Sequence, residues 1–279
     1  MNIILICDYY VQQKPKKKEK YISNYQPNLL NPIPRILGRK KIKNFVSIKF
    51  YGFDLWTAFE LSWLNKKGKP QVSIAEFSIP QDSPRLIESK SMKLYLNSFH
   101  QTKFNSKIQV LETIKKDISF ASGSTVDINF FSIEKSQKLN INQSFFCLDK
   151  LDINILQYDY SEDFLQNSTS NKEVTEKLCS HLFKSNCLIT NQPDFASVYI
   201  IYTGRKINHE TLLKYIISFR NHNEFHEQCV ERIYSDIKRC CRSKQLTVFS
   251  RYTRRGGLDI NPFRSDSCNH TLVSRMPRQ

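Results

Sequence analysis

Cys187 stands seven residues before Asp194, with Thr190, Asn191, Gln192 and Pro193 between them. Proline presets φ and asparagine tolerates the left-handed region, so the spacing predicts a loop that folds back and returns the carboxylate toward the sulfur. A thiol facing a carboxylic acid can act as a nucleophile with a proton relay. A carboxylic acid ordinarily gives up its proton far more readily than a thiol, so the surroundings must narrow that gap. Pro193 and Phe195 are expected to bury Asp194, and Lys184 to favour the thiolate. Plainer readings stand beside this one: cysteine is among the most buried residue types, and an aspartate often does no more than end a turn.

The chain that must position this loop has 279 residues, 40% apolar and 12% aromatic, enough for one large domain or two ordinary ones with a packed core. Tyr25 to Arg35 carries Pro27, Pro32 and Pro34 and reads as an extended arm without regular structure. Phe45 to Phe53 alternates as a strand, Asp54 to Leu64 reads as a second, and the turn Asn65 to Gly68 leads into a third, Gln71 to Ser78, as a hairpin. Helices are predicted over Ser91 to Phe104 and Lys107 to Ala121, then a strand from Val126 to Ile133. The Asn- and Ser-rich stretch from 136 to 170 marks a boundary, giving a basic tail over 1–24, a first half over 25–150 and a second over 151–279. In the second half, strands over Val198 to Arg205 and Gln245 to Arg254 enclose helices over His209 to Asn221 and Phe225 to Cys241. The run Y-L-N-S-F at Tyr95 returns as Y-I-I-S-F at Tyr215, 120 positions on, a faint internal repeat. The fold class is α+β, with antiparallel sheets and paired helices in two tandem units.

The net charge of +16 invites a nucleic-acid reading. Its densest cluster, Lys14 to Lys20, lies in the tail and reads as a solvated segment, and the aromatics fall mostly at core periods rather than beside cations on one strand face. No apolar run is long enough to span a membrane, and Ile3 to Cys7 lacks the flanks of a signal peptide, so a cytoplasmic protein is expected. The eight cysteines form no CxxC pair, which argues for reduced thiols. Cys179, His181 and Cys187 can be imagined around zinc, but no fourth ligand stands at a recognised spacing, so no metal is expected. Seven glycines make no GxGxxG, which excludes a Rossmann cofactor site.

Four stretches together resemble one family: S-N-C-L-I-T-N-Q-P-D-F-A-S-V-Y-I at Ser185, I-E-S-K-S-M-K-L-Y-L-N-S-F at Ile87, F-R-N-H-N-E-F-H-E at Phe219 and Y-T-R-R-G-G-L-D-I-N-P-F-R-S at Tyr252. In this order they resemble the long form of NADPH-dependent 7-cyano-7-deazaguanine reductase, the nitrile reductase of queuosine biosynthesis, from about Tyr25 to Arg264. The chain departs from that pattern at Leu188, Asn191 and Phe195, where the family usually has Pro, Gly and Trp. The resemblance implies two tandem tunnelling-fold (T-fold) units, a site between the halves, and a homodimer that acts on a small deazapurine without binding nucleic acid. It implies Cys187 as nucleophile and Asp194 as acid, with Ile87, Glu88, Ser89, His226 and Glu227 on the substrate. Ser89, Lys90, Arg255 and Gly256 would hold NADPH. The residue chemistry agrees: a carboxylate at Glu88 or Glu227 suits the adjacent N–H donors of the base, and Lys90, Arg254 and Arg255 suit phosphates. The rivals are a pterin-forming cyclohydrolase of the same fold, which needs a metal-binding Cys/His cluster, and an RNA-binding module.

Overall fold

The computed structural model describes residues 22–45, 48–133, 144–267, 275–276 and 278–279. The basic cluster Lys14 to Lys20 and the thiols Cys7 and Cys268 lie outside the described residues. The chain divides into two compact units, one of residues up to 37, 56–136 and 255–258, the other of 38–55, 137–254 and 259–279. A short helix α1 (Ile36–Arg39) and a long strand β2 (Tyr51–Leu64) each give residues to both. No helix among the described residues is long and apolar enough to cross a membrane.

The first unit holds β1 (Pro32–Pro34), β2 from Trp56 onward, β3 (Pro70–Pro80), β4 (Arg85–Ile87), α2 (Ser89–Asn97), α3 (Lys107–Ser122) and β5 (Asp127–Phe131). β3 lies between β2 and β5. Ser73, Ala75, Phe77 and Ile79 are buried along one face of β3, the two-residue period of a half-buried strand. α3 turns the stripe Val110, Ile114, Ile118 and Ala121 inward; Ser106 Oγ caps its start by accepting from Gln109 N, and Gly123 at φ 77° ends it. The expected hairpin forms, with Asn65 Oδ1 accepting from the amides of Lys67 and Lys69 at 3.0 Å. Two expectations are corrected. The strand expected over Phe45 to Phe53 and the one expected over Asp54 to Leu64 are not two: among the described residues pairing starts at Tyr51 and runs unbroken to Leu64. The proline-rich arm is not irregular throughout, because Pro32–Pro34 pairs antiparallel with Arg85–Ile87, Ile33 opposite Leu86. A two-stranded ribbon tolerates the two prolines because each strand has an outer edge that needs no N–H.

The second unit holds the start of β2 (51–55), β6 (Phe146–Cys147), β7 (Thr169–Asn186), β8 (Pro193–Ile207), α4 (His209–Ser218), α5 (His226–Asp236), β9 (Gln245–Tyr252) and β10 (Leu258–Ser265). Its strand order is β2-β10-β9-β8-β7-β6. Neighbours from β10 to β7 run antiparallel, and β6 joins β7 parallel. Leu212, Ile216, Phe219, Val230 and Ile233 from the helical segments pack on Leu178, Val198 and Ile200 of the sheet, while a smaller cluster gathers Cys179, Tyr199, Phe249 and Phe263. β7 and β10 were not foreseen: β7 opens with the polar run Thr169 to Lys177, and β10 carries Asp259, Asn261 and Arg264 in full burial. The helices end earlier than expected. A 3₁₀ turn replaces helix at Phe219–Asn221, a π turn at Ile237–Cys241, and the helix expected over Ser91 to Phe104 spans Ser89–Asn97.

The faint repeat has a physical counterpart. Tyr95 Oη donates to Asp117 at 2.7 Å, with Tyr25 Oη on the same oxygen at 2.8 Å. In the second unit Tyr215 Oη donates to Asp236 at 2.6 Å, with Tyr160 Oη on the same oxygen at 2.7 Å. Each helical tyrosine meets its own phenylalanine edge to face, Tyr95 with Phe99 and Tyr215 with Phe219.

Candidate active site

β7 and β8 form a long hairpin whose loop carries Cys187. Ser185 pairs with Asp194 and Asn186 with Pro193, so Asp194 shares a face with Ser185, and the two-residue period places Cys187 next along that face. The loop closes as the sequence predicts: Cys187 N donates to Gln192 O at 2.8 Å, Asn191 N donates to Cys187 O at 3.0 Å, and Asn191 takes the left-handed region at φ 58°. Asparagine therefore does here what glycine can do, which makes the departure at Asn191 conformationally mild. Cys187 and Asp194 are each 5% exposed. Phe195 instead points to the other face, 40% exposed, so it does not bury Asp194 as expected. That work falls to α5, whose first residue, His226, sets Nε2 3.1 Å from Asp194 Oδ2. The His226 ring stacks on Tyr252 at 3.7 Å and 8°, which fixes its plane.

His226 Nδ1 is buried without a protein partner. Nε2 faces Asp194 Oδ2, and an N–H there can be donated to the carboxylate. Nδ1 is then an acceptor left for a ligand. Glu227, next on α5, is also buried. Lys184 does not serve the thiol as expected: its Nζ donates to Asn186 Oδ1 and Arg220 O, both at 2.6 Å. Desolvation first, then the Arg220 charge, lower the Lys184 pKa, and Asp194 opposes that shift.

Beneath the loop lies a scaffold that residue spacing does not reveal. Asn186 N donates to His222 O at 2.8 Å and Glu224 N donates to Asn186 O at 3.1 Å, so the residue before the thiol is held like a strand partner of Asn223. Asn186 Nδ2 donates to Asn223 Oδ1 at 3.2 Å, and Asn223 Nδ2 donates to Asn191 Oδ1 at 2.8 Å. Behind them Arg232 grips Glu224 with two hydrogen bonds, 2.9 and 2.6 Å, and His222 Nε2 lies 3.0 Å from the same carboxylate. Burial alone pushes the Glu224 carboxyl up, but Arg232 and His222 outweigh it and hold it at about 2. The asparagines on either side of the thiol and the run H-N-E at His222 were the available signals.

In the first unit, α2 carries the Glu-Ser-Lys run. Glu88 spends one oxygen on Lys90 N at 2.8 Å and the other on Ser91 N at 2.7 Å, capping the helix. Each oxygen keeps lone-pair capacity for a further donor. Ile87 is buried in β4, and Glu88 N donates to Asn31 O at 3.0 Å, so the proline arm fixes this corner. Arg255 and Leu258 exchange backbone hydrogen bonds across Gly256 and Gly257, both left-handed at φ 61° and 77°, the signature of a two-residue hairpin turn. The glycines thus answer first to the turn. A Cβ on Gly256 would meet nothing nearer than the Lys93 side chain at 4.0 Å, so its outer side is open. Lys93, ion-paired with Glu60, stands one turn beyond Ser89 and Lys90. The structure thereby brings the Glu-Ser-Lys helix beside the Arg255–Gly256 turn, and adds Lys93, which the sequence reading missed. Cations beside an open glycine turn fit the phosphates of a dinucleotide.

Comparison with known proteins bears on this geometry. Residues 21–130 match the family model described as nitrile reductase, 7-cyano-7-deazaguanine-reductase N-term, and residues 193–271 match that of the QueF-like protein. The chain is 49% identical over 94% of its length to an NADPH-dependent 7-cyano-7-deazaguanine reductase of Colwellia psychrerythraea, covering 94% of that protein. It is 53% identical over 91% of its length to the protein of the same description from Legionella pneumophila strain Lens, covering 90% of it. Among solved structures, the archaeosine synthase QueF-Like in the apo form matches 36% of this chain and 99% of its own at 19% identity and a TM-score of 0.30.

Proposed function

The chain belongs to the NADPH-dependent 7-cyano-7-deazaguanine reductase family, and from that premise we propose that it reduces the nitrile of 7-cyano-7-deazaguanine to the aminomethyl base in queuosine biosynthesis. The observation that carries the mechanism is the hairpin that buries both Cys187 and Asp194, with His226 Nε2 3.1 Å from Asp194. Hydride does not readily add to a bare nitrile, so covalent activation is the chemical need that a nucleophilic thiol meets. The Cys187 S–H bond breaks and its proton passes by way of Asp194 to the nitrile nitrogen, while the sulfur bonds the nitrile carbon as the C≡N bond loses one π component, giving a protein-bound thioimidate. His226 holds the Asp194 carboxylate in place through its Nε2–H and offers Nδ1 to the bound base. The candidates for the N–H donors of the ring are Glu227 and the spare lone pairs of Glu88, with Ile87 and Ser89 as further candidates for holding the base. NADPH, when bound, supplies hydride, and the nitrile-to-amine change takes two of them. Ser89, Lys90, Arg255 and Gly256 are the residues to hold it, joined by Lys93. Two tandem T-fold units, a cytoplasmic homodimer and no nucleic-acid partner complete the reading; the duplicated Tyr/Asp arrangement supports the tandem units.

The test is the mass of the intact protein after incubation with the cyano base and no NADPH. It is expected to rise by the whole mass of the base, because addition to a nitrile expels no leaving group, and the label maps to the peptide holding Cys187. Cys187→Ala is expected to lose adduct and turnover. Wild-type rates of nitrile reduction in that variant would overturn the mechanism.

A further inference from the structure

Outside the catalytic set, one cluster carries metal-binding chemistry. Cys147, Cys179 and His181 each direct a ligand atom to one place, with all three atoms within 4.8 Å of one another. The sequence reading grouped Cys179 and His181 with Cys187; the fold supplies Cys147 instead, because β6 lays it directly opposite Cys179 on β7. We propose that Cys147, Cys179 and His181 bind a thiophilic divalent cation, zinc foremost, with solvent completing the coordination.

Zinc takes thiolate sulfur at about 2.3 Å and imidazole nitrogen at about 2.0–2.1 Å, so a tetrahedral ion separates its donors by roughly 3.5 Å. Donors already within 4.8 Å reach that spacing by side-chain adjustment alone. Their supports are already in place. The buried Ser197 Oγ lies 2.8 Å from His181 Nδ1, the outer hydrogen bond that fixes a metal-binding imidazole. Asp149 accepts from His181 N at 2.8 Å and from Ser180 Oγ at 2.6 Å, which locks the strand at the ligand positions. Metal binding takes the thiols as thiolates and releases their protons to solvent. Two thiols and an imidazole select a soft or borderline ion over magnesium or calcium. None of the three belongs to the proposed catalytic set.

Cobalt(II) is the probe. The reduced, chelator-dialysed full chain is titrated with it while thiolate-to-cobalt charge-transfer absorption is followed, and a band saturating at about one ion per chain and bleached by zinc is expected. Cys147→Ser, at a half-buried position, and Cys179→Ser are expected to abolish the band. Ser197→Ala weakens binding about 10- to 100-fold. Cys187→Ser is expected to keep the band. Three results would overturn the site: no band from folded wild-type protein, a band that follows Cys187 rather than Cys147, or a Cys147–Cys179 disulfide in protein purified under reductant.

Discussion

Asp194 is the residue whose surroundings the structure changes most. It is buried although Phe195 turns away from it, and His226 Nε2 stands 3.1 Å from its Oδ2. Asp194→Ala is expected to slow turnover about 10²- to 10⁴-fold, the usual worth of general acid catalysis, with slow adduct formation persisting in a stopped mass assay. Glu224 belongs to the same scale but to stability. Its folded pKa, about 2, lies below the ordinary carboxylate value near 4.5. The stabilisation it gives is therefore present above about pH 4.5 and is lost as pH falls through 2. Glu224→Gln leaves Arg232 buried without its countercharge and should cost about 3–5 kcal/mol at pH 7. Denaturant titrations across pH 2 to 7 check both: the wild type loses stability toward acid in that window, whereas the variant, weaker at neutrality, is expected to change less.

At the scale of elements, the hairpin loop and its clasp decide where the thiol sits. The turn was legible because Asn-Gln-Pro is turn chemistry at any position in any chain. The clasp was not, because Asn223 lies 32 residues from Asn191 and meets it only once α4 has returned the chain to the loop. Asn223→Ala removes its bonds to both Asn186 and Asn191 while leaving the backbone pairing intact. It is expected to lower kcat about tenfold or more with little change in thermal midpoint, since misplacing a reacting group by a fraction of an ångström is costly. Asn191→Gly keeps the left-handed backbone and loses only the side-chain bond, so it should fall between Asn223→Ala and wild type. Asn191→Ala, which must hold a Cβ at φ 58°, should also lose about 1 kcal/mol in a denaturation measurement.

At the scale of the whole molecule, the two units share a design. Asp117 receives Tyr25 and Tyr95, and Asp236 receives Tyr160 and Tyr215, each aspartate drawing a segment outside the helices onto the helix pair. Removing either carboxylate strands hydroxyls of partly or wholly buried tyrosines, at about 1–3 kcal/mol per group. Asp117→Ala and Asp236→Ala are each expected to destabilise in calorimetry, Asp236→Ala by more because it also releases Arg239, which donates to Asp236 Oδ1 at 3.1 Å. An effect confined to Asp236→Ala would break the equivalence of the two arrangements.

What the sequence determined by itself was local chemistry and identity by pattern. The turn between Cys187 and Asp194, the hairpin at Asn65–Gly68, the stripe of α3 and the repeated tyrosine-serine-phenylalanine run all depend on residues within a few positions of one another. The family followed from motifs that remain recognisable without a fold. Only the tertiary structure decided which distant groups meet: His226 on Asp194, Arg232 on Glu224, Lys93 beside Gly256, Cys147 opposite Cys179. Helix packing sets the first three, and strand pairing the last. A register joins residues tens of positions apart and buries polar strands such as β10, whose Arg264 finds Asp54 and Glu231 at 2.8 Å. Local periodicity reads such strands as surface, because the partners that neutralise their charges are supplied by other parts of the chain.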